Sequence, residues 1–292
     1  MTPMLSILIP TLNYDVSDLC MCLHKQCLQL KIQFEIIVAD DGSDDDFKTK
    51  HEPLETYENI RVLYLQENIG RAAIRNYLAS NAAYSNLLFL DADSEPYSDD
   101  FIKCYIDNLG KANLICGGRK YLECKPEDQK YWLHWTYGHK RESKSAEIRN
   151  VKSYEGFQTN NFLIEKNAFN KVRFDEDLKT YGHEDTLFGH LCKKAEVSIY
   201  HIDNPVYHIG LDDQDAFLDK TIMAVKNLRF IEQQYPDFST RLSKQAHRIP
   251  RVLRPLLVVT IKILYPILVQ NIKGENPLIR CLDFIKLYHY YK

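Results

Sequence analysis

Two acids one residue apart close an apolar run: Leu87-Leu88-Phe89-Leu90 leads straight into Asp91-Ala92-Asp93. A short continuous apolar run is what a strand buried on both faces looks like. Ligands of open α/β sheets bind beyond the carboxyl ends of such strands. An Asp-x-Asp there can aim both carboxylates at one point. Two hard oxygen donors suit Mg²⁺ or Mn²⁺, ions that keep some water and share themselves with substrate phosphates. An exposed turn uses the same residue types, so the remaining chain has to decide.

Further acids stand at comparable places. Ile36-Ile37-Val38-Ala39 runs into Asp40-Asp41-Gly42-Ser43, and Gly182-His183-Glu184-Asp185 precedes the helical pattern Thr186–Leu191. A helix start favours negative charge, so capping alone would account for Glu184 and Asp185. His208 follows Val206-Tyr207, where an imidazole is more often structural than a ligand.

The elements that must position these residues alternate. Strands are predicted at Leu5–Pro10 (Pro10 ending the first), Phe34–Ala39, Ile60–Leu65, Leu87–Leu90, Asn113–Cys116, Asn160–Ile164, Val197–Ile202 and Pro205–His208. Helical spacing appears over Asp15–Leu30, from Asn68-Ile69-Gly70-Arg71 to about Ala83, around Asp99–Leu109, and from Thr186 to about Ala195. This alternation implies a mainly parallel, doubly wound sheet flanked by helices. Residues 122–150 read as a long irregular segment. Its Tyr131, Trp132, His134, Trp135, Tyr137 and His139 suit either a substrate-covering loop or a surface excursion held by its own aromatics.

The 292 residues allow one large α/β domain with an appendage. A net charge of −3 gives no field for nucleic acid. Eight scattered cysteines form no CxxC pair and no zinc spacing, which predicts free thiols in a reducing cytoplasm. The chain enters its first strand at once, so no signal peptide is expected. From Arg248 to Lys292, eight Lys/Arg face only Glu275 and Asp283, a local charge of +6 that leaves −9 for the rest. Pro255–Val269 is strongly apolar, yet Lys262 and Pro266 interrupt it short of a spanning helix. The expectation is an interfacial, peripheral membrane anchor. The alternative is packing on the domain or on a second subunit as a homo-oligomer.

Taken together, Ser6–Pro10 with Thr11, Ile36–Ser43, Asn68-Ile69-Gly70-Arg71 with Arg75-Asn76, and Asp91-Ala92-Asp93 resemble the inverting family 2 glycosyltransferases of the GT-A fold. The resemblance covers roughly residues 4–210, and Glu184-Asp185 looks like the family's catalytic acid pair. It implies a catalytic domain over 1–212, with a nucleotide-binding half to about 118 and an acceptor-binding half from 119. A helical extension follows over 213–292. It further implies that Pro10, Thr11, Asn13, Asp41, Arg71, Asp91 and Ala92 hold a nucleotide sugar, with Asp41 on a uracil N–H and Arg71 on the diphosphate. Asp93, Asp91 and His208 would ligate Mn²⁺ or Mg²⁺. Asp185 would be the base that takes the acceptor proton, with Glu184 as the fallback. The substrates implied are a UDP-linked hexose or N-acetylhexosamine and a saccharide or lipid-linked saccharide acceptor, in surface polysaccharide synthesis.

A processive Gln-x-x-Arg-Trp motif is not evident, so single addition is the expectation. A sugar nucleotidylyltransferase or a dehydrogenase would need a Gly-rich turn after the first strand, and Pro10-Thr11-Leu12-Asn13-Tyr14 has no glycine. A membrane-tethered nucleotide-sugar-binding scaffold without turnover is the remaining alternative, opposed by the intact set Asp91, Asp93 and Asp185.

Overall fold

Leu5, Ile7 and Ile9 face one side of the first strand and Leu8 the other, and all four are fully buried. A strand sandwiched in this way has no polar face to show, hence the unbroken apolar runs of the sequence. The structure, a computed structural model, describes residues 3–178 and 181–292. In chain order the elements are β1 (Met4–Thr11), α1 (Ser17–Leu30), β2 (Gln33–Asp40), α2 (Asp45–His51), β3 (Ile60–Tyr64), α3 (Arg71–Asn81), β4 (Asn86–Leu90), β5 (Ser94–Pro96), α4 (Phe101–Asp107), β6 (Leu114–Cys116) and β7 (Arg119–Lys120). There follow α5 (Trp132–Tyr137), α6 (Ala146–Asn150), β8 (Asn161–Glu165), α7 (Lys166–Val172), α8 (Glu184–Lys194), β9 (Ile199–His201) and β10 (Val206–His208). The helices α9 (Gln214–Gln234), α10 (Arg241–Arg248), α11 (Arg254–Ile272) and α12 (Ile279–Tyr291) complete the chain.

The chain forms two compact units. The first comprises Met1–Lys120, Ser143–Lys179 and Glu184–Gly210. Its seven-stranded sheet runs β3-β2-β1-β4-β8-β6-β9. All neighbours are parallel except around β8, which runs antiparallel to both β4 and β6. On one face α1 and α4 bring Leu19, Leu23, Phe101 and Tyr105 against β1 and β2. On the other, α3, α7 and α8 bring Leu78, Phe169 and Phe188. Helices on both faces of a mainly parallel sheet give the expected doubly wound class. Pro10 does not end β1, which continues to Thr11 beside Asp40. Pairing with β4 has already stopped at Leu8, so Pro10 lies past the part of the strand bonded on both sides.

A second sheet, β5-β10-β7, was not visible as such in the sequence. Its strands are two or three residues long and carry no readable period. It places β10 antiparallel to β5 and parallel to β7.

The second unit gathers Tyr121–Glu142, Thr180–His183 and Leu211–Lys292. Its core is Leu133, Phe217, Leu218, Ile272, Ile279, Leu282 and Ile285. The stretch expected to be irregular is in fact largely helical, over residues 129–142 and 146–150. Its turns are too short for a 3.6-residue period to show. Both indoles are spent internally: Trp132 Nε1 donates to the Pro126 carbonyl at 2.7 Å and Trp135 Nε1 to that of Leu122 at 2.8 Å. The C-terminal apolar run also differs from expectation. Arg251–Ile272 is one helical stretch of 22 residues whose most apolar 18-residue window has mean hydropathy 2.0, long and apolar enough to cross a membrane. Pro266 removes only the bond to the Lys262 carbonyl and does not stop the helix.

Candidate active site

Strand β4 ends at Leu90, and the Asp91 carbonyl accepts the Ser94 N–H at 3.2 Å, closing a tight turn. The two acids of this turn have different partners. Asp91 Oδ1 accepts a charge-assisted bond from Arg75 Nη2 at 2.6 Å. Burial would raise its pKa, but the guanidinium charges of Arg75, Arg71 and Arg119 outweigh that and hold the carboxyl below its ordinary value. Asp93 instead faces His208, whose Nδ1 lies 3.2 Å from Asp93 Oδ2. The small sheet sets this pair, since His208 is in register with Ser94 and Ile209 N–H donates to the Asp93 carbonyl at 3.0 Å. Gly210 then passes so close that a Cβ there would stand 2.7 Å from Asp93 Oδ2 and 2.9 Å from its Cβ. Burial and the neighbouring Asp93 charge push the Tyr14 phenol up, which places Tyr14 on the same side.

The two acids at the end of β2, of which Asp41 was expected in the nucleotide site, behave differently from each other. Asp40 is fully buried; its Oδ1 accepts Ser43 N–H at 2.7 Å, and its Oδ2 stands 3.6 Å from His51 Nδ1. Asp41 receives Ile69 N–H at 2.8 Å and Gly70 N–H at 3.2 Å, one on each oxygen. It therefore anchors the entry to α3. A carboxylate has about four acceptor positions, so capacity remains. Burial, resisted by those two bonds, raises the Asp41 pKa. Asn13, at φ 50, is bonded to the same loop through Ser43 Oγ and Asp44 N–H, each at 2.8 Å. Thr11 is buried and donates to the Tyr14 carbonyl at 2.9 Å, while Pro10 and Ala92 are half-buried.

Arg71 opens α3, and a helix N-terminus favours an anion. Its Nη1 lies 3.7 Å from Glu184 Oε1. Asp185 follows at the start of α8 and accepts both the N–H (2.6 Å) and the hydroxyl (3.1 Å) of Thr186. Burial, aided by the adjacent Glu184 charge, pushes its pKa up to about 6 against those bonds and against Arg119. Of the two acids, Glu184 is thus paired with a cation and Asp185 is poised to exchange a proton near neutrality.

Two arginines act on acids of both elements, the turn after β4 and the start of α8. Arg71 acts on Asp91 and pairs with Glu184, while Arg119 acts on both Asp91 and Asp185. Arg119 is placed by the buried Asn161, whose Nδ2 donates to the carbonyls of Gly118 (3.0 Å) and Asn204 (2.8 Å). Sequence reasoning did not single out Arg119, Tyr14 or Gly210, and it quoted Arg75 only as part of a motif. None of these belongs to a local pattern with its partner.

For a divalent ion, Asp93 Oδ2 and His208 Nδ1 offer an oxygen and a nitrogen 3.2 Å apart. Neighbouring ligands at right angles around an ion with bonds of 2.1 Å stand about 3 Å apart, so this pair fits. Asp91 gives Oδ1 to Arg75. No group of three or more His, Cys, Asp or Glu among the described residues forms a site by itself. Such a donor set leaves most positions to water and phosphate oxygen.

Comparison with known proteins gives the family and the fold. The family model described as glycosyl transferase family 2 matches residues 6–177. The chain is 25% identical over 288 residues to a chondroitin synthase of Pasteurella multocida, covering 85% of this chain and 29% of that protein. It is 23% identical over 278 residues to a chondroitin synthase of Escherichia coli, covering 82% and 40% respectively. The chain therefore spans less than half the length of these relatives. Among solved structures, S. aureus TarS 1–349 superposes with a TM-score of 0.54 at 16% identity, over 98% of this chain and 89% of that one. The same protein in complex with UDP-GlcNAc gives 0.54 at 15% identity, over 98% and 90%. At that identity the likeness is one of fold.

Proposed function

The chain belongs to glycosyl transferase family 2, and from that premise we propose that it transfers a hexose or N-acetylhexosamine from a UDP-sugar to a saccharide hydroxyl with inversion. The observation carrying this reading is the linkage of Asp91 to Asp185 and Glu184 through Arg119 and Arg71. Shared cationic neighbours for an acid of the donor turn and for the proposed proton acceptor support that reading. The UDP and UDP-GlcNAc complexes of TarS and the chondroitin synthase relatives support the donor type and a place in polysaccharide synthesis.

In this mechanism Asp41 and the loop of Thr11 and Asn13 hold the nucleoside, and Asp91 orients the ribose side. Arg71, at a helix N-terminus, balances the diphosphate charge. Asp93 and His208 would hold Mn²⁺ or Mg²⁺, which stabilises the departing nucleoside diphosphate. Nitrogen in the donor set favours Mn²⁺ of the two. Asp185 accepts the proton of the acceptor hydroxyl as its oxygen bonds to the anomeric carbon. The bond from that carbon to the diphosphate oxygen breaks in the same displacement. A base with pKa about 6 is mostly ionised at pH 7 yet close enough to exchange protons efficiently.

The acceptor is read as a saccharide, lipid-linked where the C-terminal unit meets a cytoplasmic membrane face. Residues Leu256 (65% exposed), Ile263 (71%) and Ile267 (62%) of α11 support that seat, with basic flanks at Arg248, Arg251 and Lys273. The deciding experiment is a calorimetric and turnover screen of nucleotide sugars with and without Mn²⁺. UDP-sugar binding with turnover that Asp185→Asn abolishes, binding retained, is the expected result. Near-normal turnover in that variant removes Asp185 as the base.

A further inference from the structure

Arg119, whose charge acts on Asp185, also lines a pocket of about 460 Å³ in the first unit, together with Lys120, Lys144, Arg149, Tyr97 and Ser143. That volume lies within the range of ordinary small-ligand sites. Its charge is one-sided. The Arg149 guanidinium is buried and donates to four carbonyls, those of Lys144, Cys116, Gly117 and Ile202, and to His201 Nδ1. All of these acceptors are neutral. His201 is kept so by burial and by Arg149, which hold its pKa at about 4, while its Nε2 faces the Ser153 carbonyl at 2.8 Å. The acid of the pocket, Asp203, stands 3.9 Å from Arg149 and is 67% exposed. Its Oδ1 accepts the Ala146 N–H at 2.6 Å. Four cations and one solvated carboxylate thus line the pocket, with Arg119 also acting on Asp91 and Asp185 outside its lining. The buried Ser143 hydroxyl has no hydrogen-bond partner among the described residues. The ring of Tyr97 is half exposed, with Lys120 Nζ 4.0 Å from its centroid.

We propose that this pocket receives a negatively charged group, a carboxylate or a phosphate, carried by the acceptor saccharide. This deepens the transferase reading and rests on it. Lys120, Lys144 and Arg119 supply the charge, Ser143 donates a hydrogen bond, and Tyr97 offers an aromatic face to an adjoining ring. Arg119 lines the pocket and its charge also reaches Asp185, so an anionic group held there would be part of the same acceptor. Both anion types share the recognition chemistry, so the test separates them.

The full chain is assayed with three acceptors: an oligosaccharide ending in glucuronic acid, the same molecule with that carboxyl reduced to a neutral sugar, and a polyol-phosphate oligomer. Calorimetry measures binding of each, and UDP-GlcNAc with Mn²⁺ serves for turnover. At least one anionic acceptor is expected to bind more tightly than the neutral one, the advantage shrinking in high salt. Lys120→Ala and Lys144→Ala, both at exposed side chains, should each raise KM for the anionic acceptor roughly three- to fivefold. They should leave donor KM and the neutral acceptor unchanged. Equal binding of anionic and neutral acceptors overturns the inference, as does a lysine effect confined to donor KM. Donor hydrolysis without acceptor keeps the two readings apart. Its presence upholds the transferase reading whatever the charge preference, and charge-selective binding without any donor turnover would sink that reading alone.

Discussion

Arg75 Nη2 stands 2.6 Å from Asp91 Oδ1, with the guanidinium 4% and the carboxylate 22% exposed. One member of the Asp-x-Asp pair is therefore held by the protein itself, and the other is left to face His208. A buried ion pair of this kind is worth little against an apolar replacement, but removing one partner strands the other. Arg75→Ala is expected to cost about 3 kcal/mol, read from urea unfolding at pH 7. The sign with pH follows from the lowered pKa of Asp91. Its stabilising contribution is complete above the unfolded-state pKa and is lost as pH falls through the folded one. The penalty of Arg75→Ala should therefore shrink on acidification. A penalty that stays constant from pH 7 to pH 3 would contradict the pairing.

Asp185 shows the opposite linkage. Its carboxyl is pushed up to about 6, so the folded chain holds a proton there that the unfolded chain has released. Stability falls as pH rises from about 4 to 6, and ionised Asp185 is a burden at neutrality. Asp185→Asn is expected to raise unfolding stability at pH 7 by about 1 kcal/mol, less than the full shift implies because the residue is part-exposed. The gain should vanish below pH 4. Wild-type kcat/KM should rise with pH along a limb centred near 6. A flat profile from pH 5 to 8, with chemistry limiting, would exclude this group as the titrating base.

Gly210 controls how closely the chain passes Asp93. Gly210→Ala sets a methyl carbon 2.9 Å from Asp93 Cβ, so the turn has to move rather than only the carboxylate tip. Mn²⁺-dependent nucleotide binding is expected to weaken about tenfold, and Asp93→Ala should remove the Mn²⁺ dependence altogether. Calorimetry with UDP, with and without Mn²⁺, reads both. Unchanged affinity in Asp93→Ala would end its role as a ligand.

The large sheet was legible because burial on both faces leaves unbroken apolar runs such as Ile36–Ala39 and Leu87–Leu90. The same burial hides direction: nothing in Asn161–Glu165 marks it as the strand that runs against its neighbours. The placement of Asp91 and Asp93 past a strand end, and of Glu184 and Asp185 at a helix start, was legible because an apolar run and a helical period bound them. Arg119 was not, since its relation to Asp185 arises across the fold, through a two-residue strand and the bonds of Asn161. The apolar C-terminal run was read as too interrupted to span. Lys262 and Pro266 break its composition without breaking its helix.

That helix carries the last prediction. At 22 residues, Arg251–Ile272 would be about 33 Å long at α-helical rise, close to a hydrocarbon core of about 30 Å. Only 6% of its most apolar window is buried within the chain. Length thus allows crossing, but Lys262 at its middle is exposed, and a charge at mid-membrane costs about 3 kcal/mol. A helix lying in the interface keeps Lys262 among headgroups, and the basic flanks meet anionic lipid. The full chain is expected to float with vesicles containing phosphatidylglycerol and to be released by high salt. Leu256→Ser combined with Ile263→Ser should abolish flotation while leaving donor hydrolysis intact. Resistance to salt and to alkaline carbonate would instead mark the helix as spanning, and no binding to any vesicle would leave its apolar side to a protein neighbour.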